Sequence, residues 1–197
     1  MADEQHVLER GDIQFFFRPS VQPAEADEYK LGVQSFFAIL SVAGRDFHRR
    51  LRVGKKRMPV APRERFWARI ERTGTLDRVL GGSLESDYYT TKTRGERFQP
   101  AARPIASGEY AFVQHADHVH FTYRVQPFGF EDAPDEIAVA ETGNHLVLFE
   151  ATEGKATWSH RGTIALLDDD GAELVLVGSC SLVDDVLSPA ADHEGAQ

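Results

Sequence analysis

The sequence lacks the features that are typical of disulfide-bonded, membrane-spanning and secreted proteins. Its single cysteine, Cys180, rules out a disulfide within the chain and favours a reducing compartment. No apolar run approaches the roughly 20 residues that a membrane-spanning helix needs. The first residues, Met-Ala-Asp-Glu-Gln, lack the positive start and apolar core of a secretion signal. We therefore expect a cytoplasmic protein that does not associate with membranes.

Sequence motifs for common catalytic sites are also missing. Gly81-Gly82-Ser83-Leu84-Glu85 lacks the final glycine of a serine-hydrolase nucleophile elbow. No glycine-rich loop has the spacing that phosphate-binding motifs require. Asp168-Asp169-Asp170-Gly171 is not followed by the remaining oxygen ligands of a calcium loop. The sequence therefore favours a protein that is not an enzyme and needs no cofactor.

The charge that is present is distributed unevenly along the chain. The whole protein has 22 Lys and Arg against 31 Asp and Glu, a net charge of −9 and a pI of about 5.3. Residues 45–103 hold sixteen of the bases and seven of the acids, a net charge of +9. Residues 131–197 hold fifteen acids and two bases, a net charge of −13. Because local charge decides which partners a surface attracts, the middle of the chain is the natural place to bind an anion.

Alternation of apolar and polar residues predicts β-strands through most of the chain. The clearest strands cover residues 12–18, 33–42, 47–53, 109–114, 118–126 and 145–151. A short helix is expected at 75–80, where Thr75 is a suitable N-cap. This pattern predicts a mainly-β (β-rich α+β) fold, an antiparallel barrel or sandwich of about eight strands with one or two short helices.

The same pattern divides the chain into three parts. We expect a flexible N-terminus at 1–10, a single β-rich domain at 11–183 and a flexible acidic tail at 184–197. Within the domain, residues 86–104 predict a long, charged, irregular loop. Residues 157–167 and 173–179 predict a hairpin, because the intervening Asp170-Gly171 suits a tight β-turn.

Residues 47–53 predict a strand with one basic face. Phe47, Leu51 and Val53 would point to one side, and His48, Arg50 and Arg52 to the other. The next turn and the expected loop at 86–104 add further bases. The predicted anion-binding residues are Arg50, Arg52, Lys55, Lys56, Arg57, Lys92, Arg94, Arg97 and Arg103, with Trp67 as an aromatic neighbour.

This basic face supports more than one function. Our leading hypothesis is a non-enzymatic cytoplasmic binding or adaptor protein that holds an anionic protein partner or a second copy of itself as a homo-oligomer. Substitution of Arg94 and Arg97 by Ala would then weaken binding. A nucleic-acid-binding β-barrel is the alternative, since Trp67 offers a stacking surface, although such domains typically have a pI above about 9. The basic segment could also be neutralised by the acidic residues 131–197.

A histidine cluster predicts a second candidate site. In His115-Ala-Asp-His118-Val-His120, His118 and His120 would share one strand face and could bind a zinc ion. A zinc site needs at least one more ligand, for which His145, Glu141 and Glu150 are candidates. A metal-dependent enzyme is thus a second alternative, and ordinary surface histidines are the other interpretation.

Several segments together resemble an uncharacterised bacterial protein family. They are GDIQFFFRP (11–19), VQSFF (33–37), GKKRMP (54–59), ERFW (64–67), TKTRGER (91–97) and PAARP (100–104). The resemblance covers roughly residues 11–126. It implies that the basic segment is a shared feature, but no activity, because none is known for that family.

Overall fold

Strands make up most of the described part of the chain. The computed structural model describes residues 5–25, 32–129, 134, 137, 139–151, 157–178 and 187. The elements are β1 (Gln5–Pro19), β2 (Gln22–Pro23), β3 (Val33–Val42), β4 (His48–Val53), β5 (Arg65–Gly74), α1 (Leu76–Leu80), β6 (Asp87–Thr91), β7 (Gly95–Gln99), β8 (Arg103–His115), β9 (His118–Pro127), β10 (Thr142–Glu150), β11 (Trp158–Ser159), a 3-10 helix (Ile164–Asp168) and β12 (Glu173–Gly178).

Eight of these strands form a closed antiparallel barrel. Their order is β10-β12-β5-β4-β3-β1-β8-β9, and β9 pairs with β10 to complete the ring. The short β11 extends the sheet beside β10, and β2, β7 and β6 form a separate small sheet. The barrel confirms the mainly-β fold that the alternating sequence predicts.

Aromatic side chains fill the interior of the barrel. Phe15 stacks on Phe36 with ring centroids 5.5 Å apart, and it meets the edge of Tyr123 at 5.1 Å. All three are at most 2% exposed, and burial of each ring contributes about 1.5–3 kcal/mol. An eight-stranded barrel is just wide enough for its own side chains. Binding sites are therefore to be sought on its outer face and at its ends.

One patch of the outer face is covered by α1. Phe16 of β1 and Phe37 of β3 stack there at 5.2 Å, and the buried Val79 of α1 packs in the same apolar cluster. Thr75 has the extended backbone of an N-cap, and Gly81 follows the last turn. The predicted helix at 75–80 is thus confirmed, and its packing fixes the position of the residues that follow it.

Arg49 is a charged side chain in the mainly apolar interior. Its side chain is 1% exposed and makes a bidentate contact with Glu9, at 2.6 and 3.0 Å. Nε also donates to Asp168 of the 3-10 helix at 3.0 Å, and the Tyr110 hydroxyl donates to Glu9 at 2.8 Å. Burial alone would lower the pKa of Arg49, but these carboxylates raise it above its ordinary value. Arg49 therefore stays charged and joins β4, β1 and the 3-10 helix.

Two predictions of local structure are wrong. Residues 86–104 are not an irregular loop, because β6 and β7 form a hairpin in which Tyr88 packs on Phe98 at 4.7 Å. Its strands are largely exposed, so the sequence shows no apolar alternation there. The hairpin expected at 157–179 is also absent from the described residues, since β12 lies between β10 and β5 and completes the barrel. Gly171 does have positive φ, but its turn follows the 3-10 helix.

The expected ends of the domain also change. Strand β1 begins at Gln5, within the segment predicted to be flexible, because Gln5 pairs with His115 at the far end of β8. Of the predicted tail at 184–197, all but Leu187 lies outside the described residues. None of the helices in the described ranges is long and apolar enough to cross a membrane.

We predict that Arg49→Met lowers the free energy of unfolding by about 3–5 kcal/mol, because it leaves Glu9 buried without its cation. Glu9→Gln in the same chain should recover part of this loss. Urea denaturation measures both effects. Arg45→Met is the control, because Arg45 is exposed and should change stability by less than about 0.5 kcal/mol. An Arg49→Met protein as stable as this control would show that the buried network is unimportant.

Candidate functional site

The outer face of β4 carries two arginines side by side. Leu51 and Val53 point into the barrel and are 2% exposed, so Arg50 and Arg52, which alternate with them along β4, must point outward. The Arg50 guanidinium lies over the Phe37 ring at 4.2 Å. The alternation thus builds the basic strand face that the sequence predicts and anchors it on the apolar patch.

A β-bulge in β5 brings more charge to the same face. Arg50 is paired with Arg72, but the next residue, Leu51, is paired with Ile70, so Glu71 has no partner across the ladder. A bulge re-aims side chains, and here Glu71 and Arg72 both avoid the interior although they are consecutive. Glu71 contacts Arg50 Nε at 2.9 Å and Arg52 Nη1 at 3.1 Å.

These strands form the floor of an open groove with a volume of about 860 Å³. Its sides come from the ends of β1 and β3, the turn after β4, Gly81 and Gly82 after α1, and Asp87 of β6. In the described ranges, two carboxylates line it, those of Glu71 and Asp87. The cations lining it are Arg18, Arg50, Arg52, Lys55, Lys56, Arg69 and Arg72. The groove therefore has a local net charge of +5, although the whole chain is acidic.

The neighbouring cations affect the pKa of Arg50. Burial lowers its pKa, and the neighbouring positive charges of Arg72, Arg18 and Arg52 lower it further, while Glu71 acts in the opposite direction. Mutual repulsion of this kind is relieved when an anion enters. Arg50 thus lies where a bound carboxylate or phosphate would be stabilised.

Trp67 gives the groove an apolar surface beside its charges. It projects from β5 and remains 40% exposed. The Gly54 N–H donates to the Trp67 carbonyl at 2.8 Å. A Cβ at Gly54 would lie 3.2 Å from the indole ring, so glycine lets the Lys55-Lys56 turn approach the ring closely.

The two arginines at the edges of the groove are held by backbone carbonyls. Arg72 Nη1 donates to the Arg78 and Gly81 carbonyls at 3.4 and 3.3 Å, which ties β5 to the end of α1. Arg18 Nε donates to the Pro100 carbonyl at 3.3 Å. Neither uses a carboxylate in these contacts, so their charge is retained at the groove.

The structure brings together part of the predicted anion-binding set. Arg50, Arg52, Lys55, Lys56 and Trp67 line the groove. Arg18, Arg69 and Arg72 also line it and were missed. The strand that presents Arg69, the bulge that exposes Arg72 and the folding of Arg18 against the groove have no clear sign in the sequence.

The other predicted residues lie elsewhere. Arg57 faces Glu64, with Nη1 and Nη2 3.0 and 2.5 Å from the carboxylate, and this contact lowers the pKa of Glu64 to about 2. The remaining four do not line the groove: Lys92 and Arg94 lie in the turn of the β6–β7 hairpin, Arg97 lies on β7 and Arg103 begins β8.

Acids from residues 131–197 neutralise bases outside the groove. Asp168 pairs with Arg49, and Asp170 pairs with Arg78 at 2.6 Å, which lowers the pKa of Asp170 to about 2. By contrast, Arg50 and Arg52 share Glu71 from the neighbouring strand. Across the part of the chain that the structure describes, residues 131–197 supply no carboxylate that lines the groove.

The predicted histidine pair lies on β9, away from the groove on β4 and β5, and His115 lies close to both rings. The ring nitrogens of His115, His118 and His120 lie within 4.8 Å of one another. His120 is 1% exposed, and burial lowers its pKa. His145 is not part of this cluster, because it is buried beside Tyr123 and its Nε2 lies 2.9 Å from the Pro59 carbonyl.

The two other predicted ligands also lie outside the cluster. Glu150 is exposed at the last position of β10, and Glu141 precedes β10 at its opposite end and is exposed. The third histidine is His115, which the tight turn of the β8–β9 hairpin places opposite His118.

Comparison of the chain with protein-family models, with curated proteins and with solved structures finds no match. Functional conclusions therefore depend on the groove and the histidine cluster themselves.

Proposed function

We propose that this protein is a non-enzymatic binding protein that holds an acidic segment of a protein partner in the basic groove. The observation that carries this proposal is the local excess of cations around one cavity, next to the exposed Trp67. Its volume of about 860 Å³ lies within the range of ligand-binding clefts. Arginine guanidinium groups suit carboxylates because they can donate two parallel hydrogen bonds.

Lys55 and Arg69 are the cations best placed to meet such a segment. Both side chains are exposed, and neither makes an ion pair with a described residue. Arg50 and Arg52 share the single carboxylate of Glu71, so their combined charge is only partly neutralised. An incoming acid would therefore gain new contacts without first breaking existing ion pairs.

An acidic protein segment fits the groove better than a nucleic acid. Proteins that bind single strands place successive bases on several aromatic rings, whereas Trp67 is the one exposed aromatic among the described lining residues. A net charge of −9 would also repel a long polyanion. A short acidic segment interacts mainly with the local charge, since screening limits electrostatic range to about 8 Å in physiological salt.

The acidic segment could belong to another protein or to a second copy of this chain. Residues 131–197, with a net charge of −13, are a candidate in the second case. The lone Cys180 is in keeping with a cytoplasmic location of this protein. Sedimentation at low and high salt distinguishes the two, because self-association would give a dimer that dissociates as salt is added.

We predict that Lys55→Ala/Arg69→Ala raises the Kd for a fluorescent Asp/Glu-rich peptide roughly 30-fold, at about 1 kcal/mol for each lost contact. Fluorescence anisotropy measures the change, which should shrink at high salt because screening weakens both contacts.

Arg94→Ala/Arg97→Ala is the matched control, because it removes the same charge outside the groove. It should leave Kd within about threefold of the wild type, since its effect is limited to weak long-range attraction. A larger loss in this control than in Lys55→Ala/Arg69→Ala would favour the basic hairpin that the sequence indicates. Tighter binding of a single-stranded oligonucleotide than of a peptide with equal charge would favour the nucleic-acid alternative.

We predict that Glu71→Gln increases the affinity of the groove for the Asp/Glu-rich peptide. This change removes the carboxylate that competes for Arg50 and Arg52 while keeping the shape of the side chain. The same peptide should bind about fivefold more tightly, equivalent to about 1 kcal/mol. Glu96→Gln is the control, because Glu96 lies on β7 and is exposed outside the groove. Equal effects of the two substitutions would mean that only net charge matters.

A further inference from the structure

The β8–β9 hairpin brings three histidines together at its turn. His115 is the register partner of His118 across the Ala116-Asp117 turn, which Ala116 makes possible with φ of +52°. His120 is two residues further along β9, so it lies on the same face as His118. The three imidazoles are therefore brought together by one rigid hairpin of the barrel.

The spacing of the three rings suits a single metal ion. His115 Nδ1 and His118 Nε2 are 3.4 Å apart, and ligand nitrogens around tetrahedral Zn²⁺ lie about 3.3 Å apart when each bond is 2.0–2.1 Å long. The separations to His120 are at most 4.8 Å. A side-chain adjustment of about 1.5 Å would therefore bring all three nitrogens to coordination distance.

His120 carries the observation that points to a ligand. Its Nδ1 lies 2.8 Å from Asn144 Oδ1, and because that oxygen can only accept, Nδ1 bears the proton. Nε2 is then left with a lone pair. This atom is fully buried and has no hydrogen-bond partner among the described residues. A buried imidazole fixed by its second nitrogen, with the first left for a ligand, is the usual arrangement in metal sites.

Asp117 orients the second ring in a similar way. Its Oδ1 lies 3.3 Å from His118 Nδ1, which leaves Nε2 to face His115. The other oxygen of Asp117 accepts from His160 Nε2 at 3.0 Å. The carboxylate is therefore itself held in place, as expected for the outer partner of a metal-binding histidine.

We propose that His115, His118 and His120 bind one Zn²⁺ ion, with Asn144 and Asp117 as positioning residues. Three imidazoles suit zinc and leave a fourth coordination position for water or an added ligand. This site lies on β8 and β9, whereas the groove lies on β4 and β5, so the proposal does not depend on the proposed function.

Zinc binding by untagged protein tests the proposal. Titration with Zn²⁺ alone against a chromogenic chelator should give one ion per chain, and Tm should rise with zinc. His115→Gln/His118→Gln should lower the affinity more than 100-fold and abolish the rise in Tm, because it removes two of three ligands. His48 lies on β4, three positions from β8 in the sheet, so His48→Gln should bind zinc with the affinity of the wild type.

Asn144→Ala tests the positioning role. Loss of an outer partner typically lowers metal affinity about 10–100-fold, so an intermediate affinity between the wild type and the double variant is expected. Circular dichroism without metal checks that each variant is folded. Equal zinc affinity in the wild type and in the folded His115→Gln/His118→Gln protein would overturn the site.

Discussion

Closure of the barrel by the pairing of β9 with β10 is the constraint on which the rest of the structure depends. Once the sheet is closed, each strand has one side inside and one side in contact with solvent or with covering elements. The interior is filled by apolar side chains, and a charged side chain can remain there only with partners, as Arg49 does with Glu9 and Asp168. Other charges on the barrel strands must therefore lie outside, where neighbouring strands place them side by side.

Both candidate sites follow from this constraint. The floor of the groove consists of outward residues of the adjacent strands β4 and β5, and the histidine cluster consists of outward residues of the adjacent strands β8 and β9. Each site has one feature that goes beyond simple alternation: the bulge at Glu71 in the first, and the tight Ala116-Asp117 turn in the second. Strand pairing supplies the rigidity, and these local irregularities set which side chains converge.

The sequence predicts the parts of the fold that depend on local alternation. It indicates the barrel strands other than β5, the short helix and the outward direction of Arg50 and Arg52. Arg49 was missed although it occupies the same face as Leu51 and Val53, because a buried arginine is recognisable only from its distant partners Glu9 and Asp168. The β6–β7 hairpin was missed because exposed strands carry no apolar pattern.

Long-range contacts account for the errors at the sites. Arg18 and Arg69 are 51 positions apart in the sequence and line one groove only through the strand order β1-β3-β4-β5. Arg57 belongs to the basic turn in sequence, yet its contact with Glu64 directs it away from the groove. His145, one of the candidates for a further ligand, lies apart from the cluster because its direction, into the barrel, depends on the register of β10.

Entry of an acidic ligand into the groove can be measured directly with the two tryptophans. Trp67 lines the groove, whereas Trp158 lies on β11 beside β10. Their indole N–H signals can be followed by NMR while an acidic peptide is added. We predict that the Trp67 signal shifts in a saturable, salt-sensitive way and that the Trp158 signal stays in place. A shift of Trp158 alone, or no shift of either signal at peptide concentrations that saturate binding, would contradict the account.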